Sequence, residues 1–307
     1  MRFRLDYIET FITVMEAGSL SAAGLRMDLS KSVISKRISD LENSLNTQLL
    51  SRSTRGVHAT DKGQEFYARA RQLVQQLDDV VEATLDDNAS LSGQIKIAAP
   101  MSFGTMHLGA MLFDFLKLHP SLELALTLDD KKIDIEGSGF DIAIRVTQMK
   151  DSTLIARKLA LSKRVVCCSP SYSAMHGLPI SVDDLSNHKC IGYTNLYSGQ
   201  LWQFEPLEQA GQVRSIPLKA HYVFNNGESM RDAAIAGLGL CLIPLFIASE
   251  ALADGRLINA MPNDSPTVDT IYAMYPQCRH QPRKVRAVID YLAAKFAGIS
   301  AWEASCQ

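Results

Sequence analysis

From Asp61 to about Ser90 one apolar seam runs through Phe66, Ala70, Leu73, Leu77, Val80 and Thr84, its spacing alternating four and three residues. Such a heptad pattern marks a helix that packs along its length against another helix. About 29 residues at ~1.5 Å each make a rod of about 43 Å. A rod of that length cannot bury its stripe on a sixty-residue neighbour, so its economical partner is a second copy of itself. The seam predicts a dimerisation helix and divides the 307-residue chain into a short N-terminal segment and a longer C-terminal one.

The N-terminal segment reads as helical. Leu5, Ile8, Phe11, Ile12 and Met15 form one stripe over Leu5–Ala17, stopped by Gly18. A short helix, Leu20–Met27, presents Leu20, Ala23 and Met27. Asp28, Leu29 and Ser30 make a tight connection, with Ser30 as N-cap of a third helix, Lys31–Leu45, that turns Ile34, Ile38, Leu41 and Leu45 inward. Residues 46–60 lose helical periodicity and gain Arg52, Arg55, Gly56 and β-branched Val57 and Thr60, which predicts a small hairpin.

Past Ser92-Gly93 the pattern changes to short β-rich runs: Gln94–Ala99, Leu122–Leu128, Phe140–Val146, Arg164–Cys168, Cys190–Thr194, Leu240–Ile243 and Val268–Met274. Between them lie amphipathic helices at Thr105–Lys117, Ser229–Ala236, Leu245–Ala253 and Arg283–Phe296. This alternation calls for βαβ units and a mostly parallel sheet, either one wide sheet or two lobes. The expected fold class is multidomain, with an all-α winged helix-turn-helix head, a long linker helix and an α/β region.

The formal net charge of −2 excludes a wholly basic, histone-like binder. Charge is nevertheless sorted. Lys31, Lys36, Arg37, Arg52 and Arg55 face only Asp40 and Glu42 between residues 31 and 60, whereas residues 76–90 hold five acidic groups and no basic one. In a winged helix-turn-helix the third helix enters the major groove N-terminus first. Lys31, Ser32, Ser35 and Lys36 occupy that exposed start, Arg37 is expected nearer the phosphates, and Arg52 or Arg55 can reach phosphates or a narrow minor groove. The plainer alternative is a solvated basic face on an ordinary three-helix domain.

Residues 5–66 closely resemble the DNA-binding module of LysR-type transcriptional regulators. The resemblance is carried by Leu20-Ser21-Ala22-Ala23, by Leu29-Ser30-Lys31-Ser32-Val33-Ile34-Ser35-Lys36-Arg37-Ile38, by Leu41-Glu42, by Leu49-Leu50-Ser51-Arg52 and by Thr60-Asp61-Lys62-Gly63. The family usually begins its recognition helix with Gln followed by Pro, Ser or Thr, where this chain has Lys31-Ser32. Lysine lacks the planar amide that reads adenine. A Gly is common where Asn46 stands, a residue that also tolerates a left-handed turn. The resemblance implies a head at residues 1–60, a linker helix at 61–91 and an effector region at 92–307 resembling periplasmic binding proteins, with lobe I at 93–161 and 268–300 and lobe II at 162–267. It further implies a homodimer or homotetramer on a palindromic double-stranded operator and a small-molecule effector in the interlobe cleft. Trp202 with Phe204 is similar to the CrgA-like subgroup.

For the effector, Ser102, Phe103 and Thr105 follow strand Gln94–Ala99, where free N–H groups at a helix start favour an anion and where open α/β sheets bind ligands. A hydroxyl that merely caps the helix is the alternative. Arg145 can supply a cation to a carboxylate or simply pair with a neighbouring acid. Asn225 and Asn226 can bind a ligand or organise a turn, and Trp202 suits a core or cleft wall better than a ligand platform. Gly237-Leu238-Gly239 follows a helix, the reverse of the dinucleotide arrangement.

Of six cysteines (Cys167, Cys168, Cys190, Cys241, Cys278, Cys306), Cys190 is the best candidate for a reactive thiol and for an oxidant-sensing regulator, although only His188 and Lys189 lie beside it. No metal spacing, Gly-x-Ser-x-Gly elbow, His-Glu-x-x-His helix or Walker loop occurs, so neither cofactor nor catalytic residue is expected. No segment reaches the roughly 18 apolar residues of a membrane span, and a cytoplasmic location is expected. The competing class is a cytosolic solute-binding or catalytic α/β module with a helical oligomerisation arm and no DNA role.

Overall fold

The structure, a computed structural model, describes residues 4–53, 56–83, 90–131, 135–148, 154–194, 201–205, 213–277 and 281–297. The described chain forms two compact units, one of the head and linker helix together with Glu136–Gly139, the other of the rest of the α/β region.

In the head, α1 (Leu5–Ala17) stops at Gly18, whose φ of 70° lets its N–H reach the Val14 carbonyl. Ser19 caps α2 (Leu20–Met27) by accepting from Ala22 N–H, and Ser30 caps α3 (Lys31–Leu45) by accepting from Val33 N–H at 3.3 Å. The hairpin β1 (Leu50–Ser53) and β2 (Gly56–Ala59) pairs antiparallel. One Glu42 carboxylate oxygen accepts from Leu49 N–H at 2.8 Å and Leu50 N–H at 2.9 Å, tying the end of α3 to the start of the hairpin. The core gathers Phe11, Val14, Leu20, Ala23, Ile34, Ile38, Leu41, Leu49 and Leu50. The α1 stripe is rotated from the expected one. Leu5 is exposed, Ile8, Ile12 and Met15 are half-buried, and Thr10 and Val14 go inside with Phe11. Burial of Thr10 is tolerated because its hydroxyl donates to the Asp6 carbonyl one turn back.

Helix α4 (Asp61–Ala83) begins at Thr60, whose hydroxyl oxygen accepts from Gly63 N–H at 3.0 Å. The expected rod reaches further; Thr84 and the side chain of Val80 lie outside the described residues. Phe66 meets Phe11 edge-on at 5.5 Å and Ala70 is buried, so the beginning of the seam serves the head. Leu73 and Leu77 remain 64% and 42% exposed.

The α/β region opens with β3 (Gly93–Ala99), then α5 (Met101–Phe103), a π-turn at Gly104–Leu108, α6 (Gly109–Leu118), β4 (Leu122–Leu128), α7 (Ile135–Ser138), β5 (Ile142–Thr147) and β6 (Ile155–Ser162). It continues through β7 (Arg164–Cys168), α8 (Pro170–His176), a 3₁₀ turn at Val182–Asn187, β8 (Cys190–Tyr193), β9 (Leu201–Glu205), β10 (Arg214–Pro217), β11 (Ala220–Phe224), α9 (Gly227–Ile235) and β12 (Leu240–Pro244). It closes with α10 (Leu245–Ala253), β13 (Ile258–Asn259), β14 (Ser265–Pro266), β15 (Asp269–Tyr275) and α11 (Arg283–Phe296).

Among the described residues two five-stranded sheets make two lobes, in the orders β4-β3-β5-β15-β6 and β11-β8-β12-β7-β13, and a small β10-β9-β14 sheet accompanies the second. The chain crosses between lobes twice, from β6 to β7 and from β14 to β15. Ser162 therefore belongs to the first lobe's sheet. The sheets are mixed rather than mostly parallel, because β15 runs antiparallel to β5 and β6, and β7 antiparallel to β12 and β13. Strand β6 escapes the apolar pattern because it is an edge, where Arg157 and Lys158 are welcome.

Candidate nucleic-acid interface and interlobe site

The start of α3 presents Lys31, Ser32, Val33 and Lys36 to solvent, while Ile34 and Ile38 fix the helix on the core. Ser32 shares a hydrogen bond of 2.9 Å with Ser30, and Ser35 is half-buried. Arg37, expected nearer the phosphates, is half-buried. Its guanidinium turns back onto α1, donating to the Thr10 hydroxyl at 3.1 Å and pairing with Asp6 at 3.5 Å, so it braces two helices. The Arg52 side chain and all of Arg55 lie outside the described residues.

In the α/β region the expected ligand residues scatter. Phe103 is fully buried against Phe246 at 5.4 Å and Phe296 at 5.9 Å, so it is core. Trp202 is also core, packed with Phe204 and Met261 in the second lobe. Thr105 lies exposed on the π-turn and Asn225 exposed before α9. Arg145 donates to the Lys131 carbonyl at 3.3 Å; burial pulls its pKa down against the opposing pull of Asp129 and Asp130.

Ser102 and Asn226, 124 positions apart, do come together, through a residue that no sequence pattern singles out. The buried Ser102 hydroxyl donates to Glu228, and Asn226 Nδ2 donates to the same carboxylate oxygen at 2.9 Å. Asn226 Oδ1 meanwhile accepts from Ser229 N–H and caps α9. The helix after β3 starts at Met101, not Thr105, because Pro100 is its N-cap and Asp130 accepts from Met101 N–H at 2.8 Å. Of the donors expected at this helix start, Met101 N–H and the Ser102 hydroxyl are thus engaged by two of the chain's own carboxylates. Only the loop geometry after a strand was legible. Glu228 and Asp130 are not singled out by their neighbours in sequence, since their bonds to Ser102 and Met101 span 126 and 29 positions.

Cys190 is buried, and burial pushes its thiol up to about 12, so it lacks the thiolate character of a reactive cysteine. Cys167 and Cys241 face each other across β7 and β12 with sulfurs 3.5 Å apart, both fully buried. Among the described residues no group of three or more His, Cys, Asp or Glu can hold a metal ion, and no helix is long and apolar enough to cross a membrane.

Burial holds two histidines below the ordinary imidazole range: His107, whose Nε2 bonds the Phe246 carbonyl, and His188, beside Tyr172 and His176. A folded pKa below the unfolded value of about 6.5 gives stability that is intact above that pH and lost as pH falls through the folded values. Melting temperature should therefore drop between pH 7.5 and 5.5, and drop less in His107→Gln. An unchanged slope in that variant refutes the assignment.

Comparison with known proteins converges on one family. Residues 5–64 match the bacterial regulatory helix-turn-helix proteins of the lysR family, and residues 88–297 match the LysR substrate binding domain. The HTH-type transcriptional regulator YhjC of Escherichia coli K12 is 34% identical over 290 residues, covering 94% of this chain and 97% of its own. The full-length virulence activator AphB of Vibrio cholerae, described as a member of the LTTR family, is 29% identical with a TM-score of 0.62, covering 96% of this chain and 100% of its own. CrgA of Neisseria meningitidis, a LysR-type transcriptional regulator, is 26% identical with a TM-score of 0.61 over 97% of this chain and 100% of its own. The two matched segments account for the head and for the two-lobed region, and the chain belongs to the LysR family of DNA-binding transcriptional regulators.

Proposed function

We propose that the protein binds a palindromic operator as a homodimer or homotetramer, with Lys31, Ser32 and Lys36 at the groove and phosphates, and that a small molecule at the interlobe site shifts its DNA-bound arrangement. The observation that carries this reading is the exposed, cationic start of α3, capped by Ser30 and held by Ile34 and Ile38. Arg52 and Arg55 are proposed wing contacts. Arg37 is assigned to the head's internal bracing instead.

The effector site is placed at Ser102, Asn226 and Glu228, where the two lobes meet. A ligand that uses the Ser102 hydroxyl must exchange for Glu228, and an anion there meets both Glu228 and Asp130. Such exchange is one way a ligand can bind one lobe arrangement better than another, without which no equilibrium shifts. The protein works in the cytoplasm and catalyses no reaction.

Duplex binding tests the reading. A protein neutralising 6–10 phosphates loses roughly 10³–10⁵ in affinity between 50 and 200 mM salt. Lys36→Ala should weaken binding and lower the slope of log affinity against log salt by about 1. A wild-type protein with no salt-dependent retention on duplex DNA sinks the proposal.

A further inference from the structure

The start of α3 holds one exposed side chain that neither cation chemistry nor core packing explains. Val33 is 38% exposed on the flank that also presents Lys36 one turn later. The neighbours that build the core are Ile34 and Ile38, both fully buried. A β-branched residue gives up side-chain freedom in a helix, and at 38% exposure Val33 regains less by burial than the fully buried Ile34 and Ile38 do. Around it, the Ser32 hydroxyl is taken up with Ser30, and the Arg37 guanidinium is spent on Thr10 and Asp6. Lys31 and Lys36 offer point charges suited to phosphates or guanine acceptors. In the major groove the apolar feature that a base edge presents is the thymine C5-methyl.

We propose that Val33 reads the methyl group of one thymine in each operator half-site, a specificity contact separate from the charged contacts beside it. This rests on the reading that α3 enters the major groove. Burying a methyl-sized apolar group contributes ~0.8 kcal/mol, about fourfold in affinity.

The test uses the full-length protein and a duplex that it enriches from a random library. Each thymine is replaced in turn by deoxyuridine, which removes only the methyl. The wild type should lose about fourfold at one thymine per half-site. Val33→Ala should bind the parent duplex more weakly, lose that sensitivity, and keep wild-type behaviour at every other position and in its salt slope. A deoxyuridine scan that is flat for a tightly bound duplex overturns the Val33 contact and leaves the DNA reading standing. Sensitivity that survives in Val33→Ala overturns it equally. Failure to enrich any duplex overturns the DNA reading and the contact together.

Discussion

Gly63→Ala should strongly destabilise the DNA-binding head and weaken operator binding, while the α/β region keeps its own melting transition. A Cβ at Gly63 would overlap the carbonyl oxygen of Leu49, with the Leu49 carbonyl carbon only 3.0 Å away. The obstacle is backbone, and it is fixed from several sides. Leu49 N–H is held by Glu42, the Leu49 carbonyl accepts from Thr60 N–H at 2.9 Å, and the Thr60 hydroxyl donates to the Gln48 carbonyl at 2.8 Å while accepting from Gly63 N–H. Overpacking commonly costs about 1–3 kcal/mol, and an obstacle that cannot swing aside puts this site at ~3 kcal/mol or beyond. In a head of this size each kcal/mol lowers the melting temperature by roughly 4–8 °C, so calorimetry should show a fall of at least about 12 °C. Gly18→Ala is the calibrating control. Its φ of 70° strains a side chain, yet nothing lies within 4 Å of the added Cβ, so the loss should be only ~1 kcal/mol. Equal melting temperatures for the two variants would refute the steric account.

The contrast between Gly18 and Glu228 shows what a linear reading can reach. Caps and periodicities act within one or two turns, which is why Gly18, Ser30, the bounds of α1 to α3 and the hairpin are all readable from local residues. The effector region is readable where strands are apolar, the edge strand β4 included. It fails at β6, an edge carrying Arg157 and Lys158, and at β9 to β11, too short and polar to register as runs. The site fails for a different reason. Ser102 stands out because it comes just after a strand, but whether its hydroxyl is vacant depends on Glu228, and Phe103 looks like a site residue until Phe246 and Phe296 close over it. Arg37 is the same lesson in the head, since its use is decided by Asp6 and Thr10 on another helix. Residue type and spacing specify the elements, and long-range partners decide which polar groups remain free to act.

Leu73→Glu combined with Leu77→Glu should remove one association step and cut operator affinity by at least about a hundredfold, the usual span of gain from linking two binding events. The two leucines are 64% and 42% exposed in the single chain, although they continue the seam that Phe66 and Ala70 use against the head. Burying a leucine contributes roughly 1.5–3 kcal/mol, and a two-fold seam counts each leucine twice, so the pair carries enough free energy to hold two heads together. Glutamate at both positions removes that burial and adds charge beside Asp78, Asp79 and Glu82, which already make this stretch acidic. Sedimentation should show the mass halved while each head keeps its melting temperature and its weak single-site binding. Leu25→Glu serves as the comparison, because Leu25 is 86% exposed on α2 and lies off the seam; it should leave the mass unchanged. A double variant with the parental mass and full operator affinity would place dimerisation elsewhere. Unchanged affinity with halved mass would instead break the link between the rod and the palindrome, because one head would then suffice for the whole site.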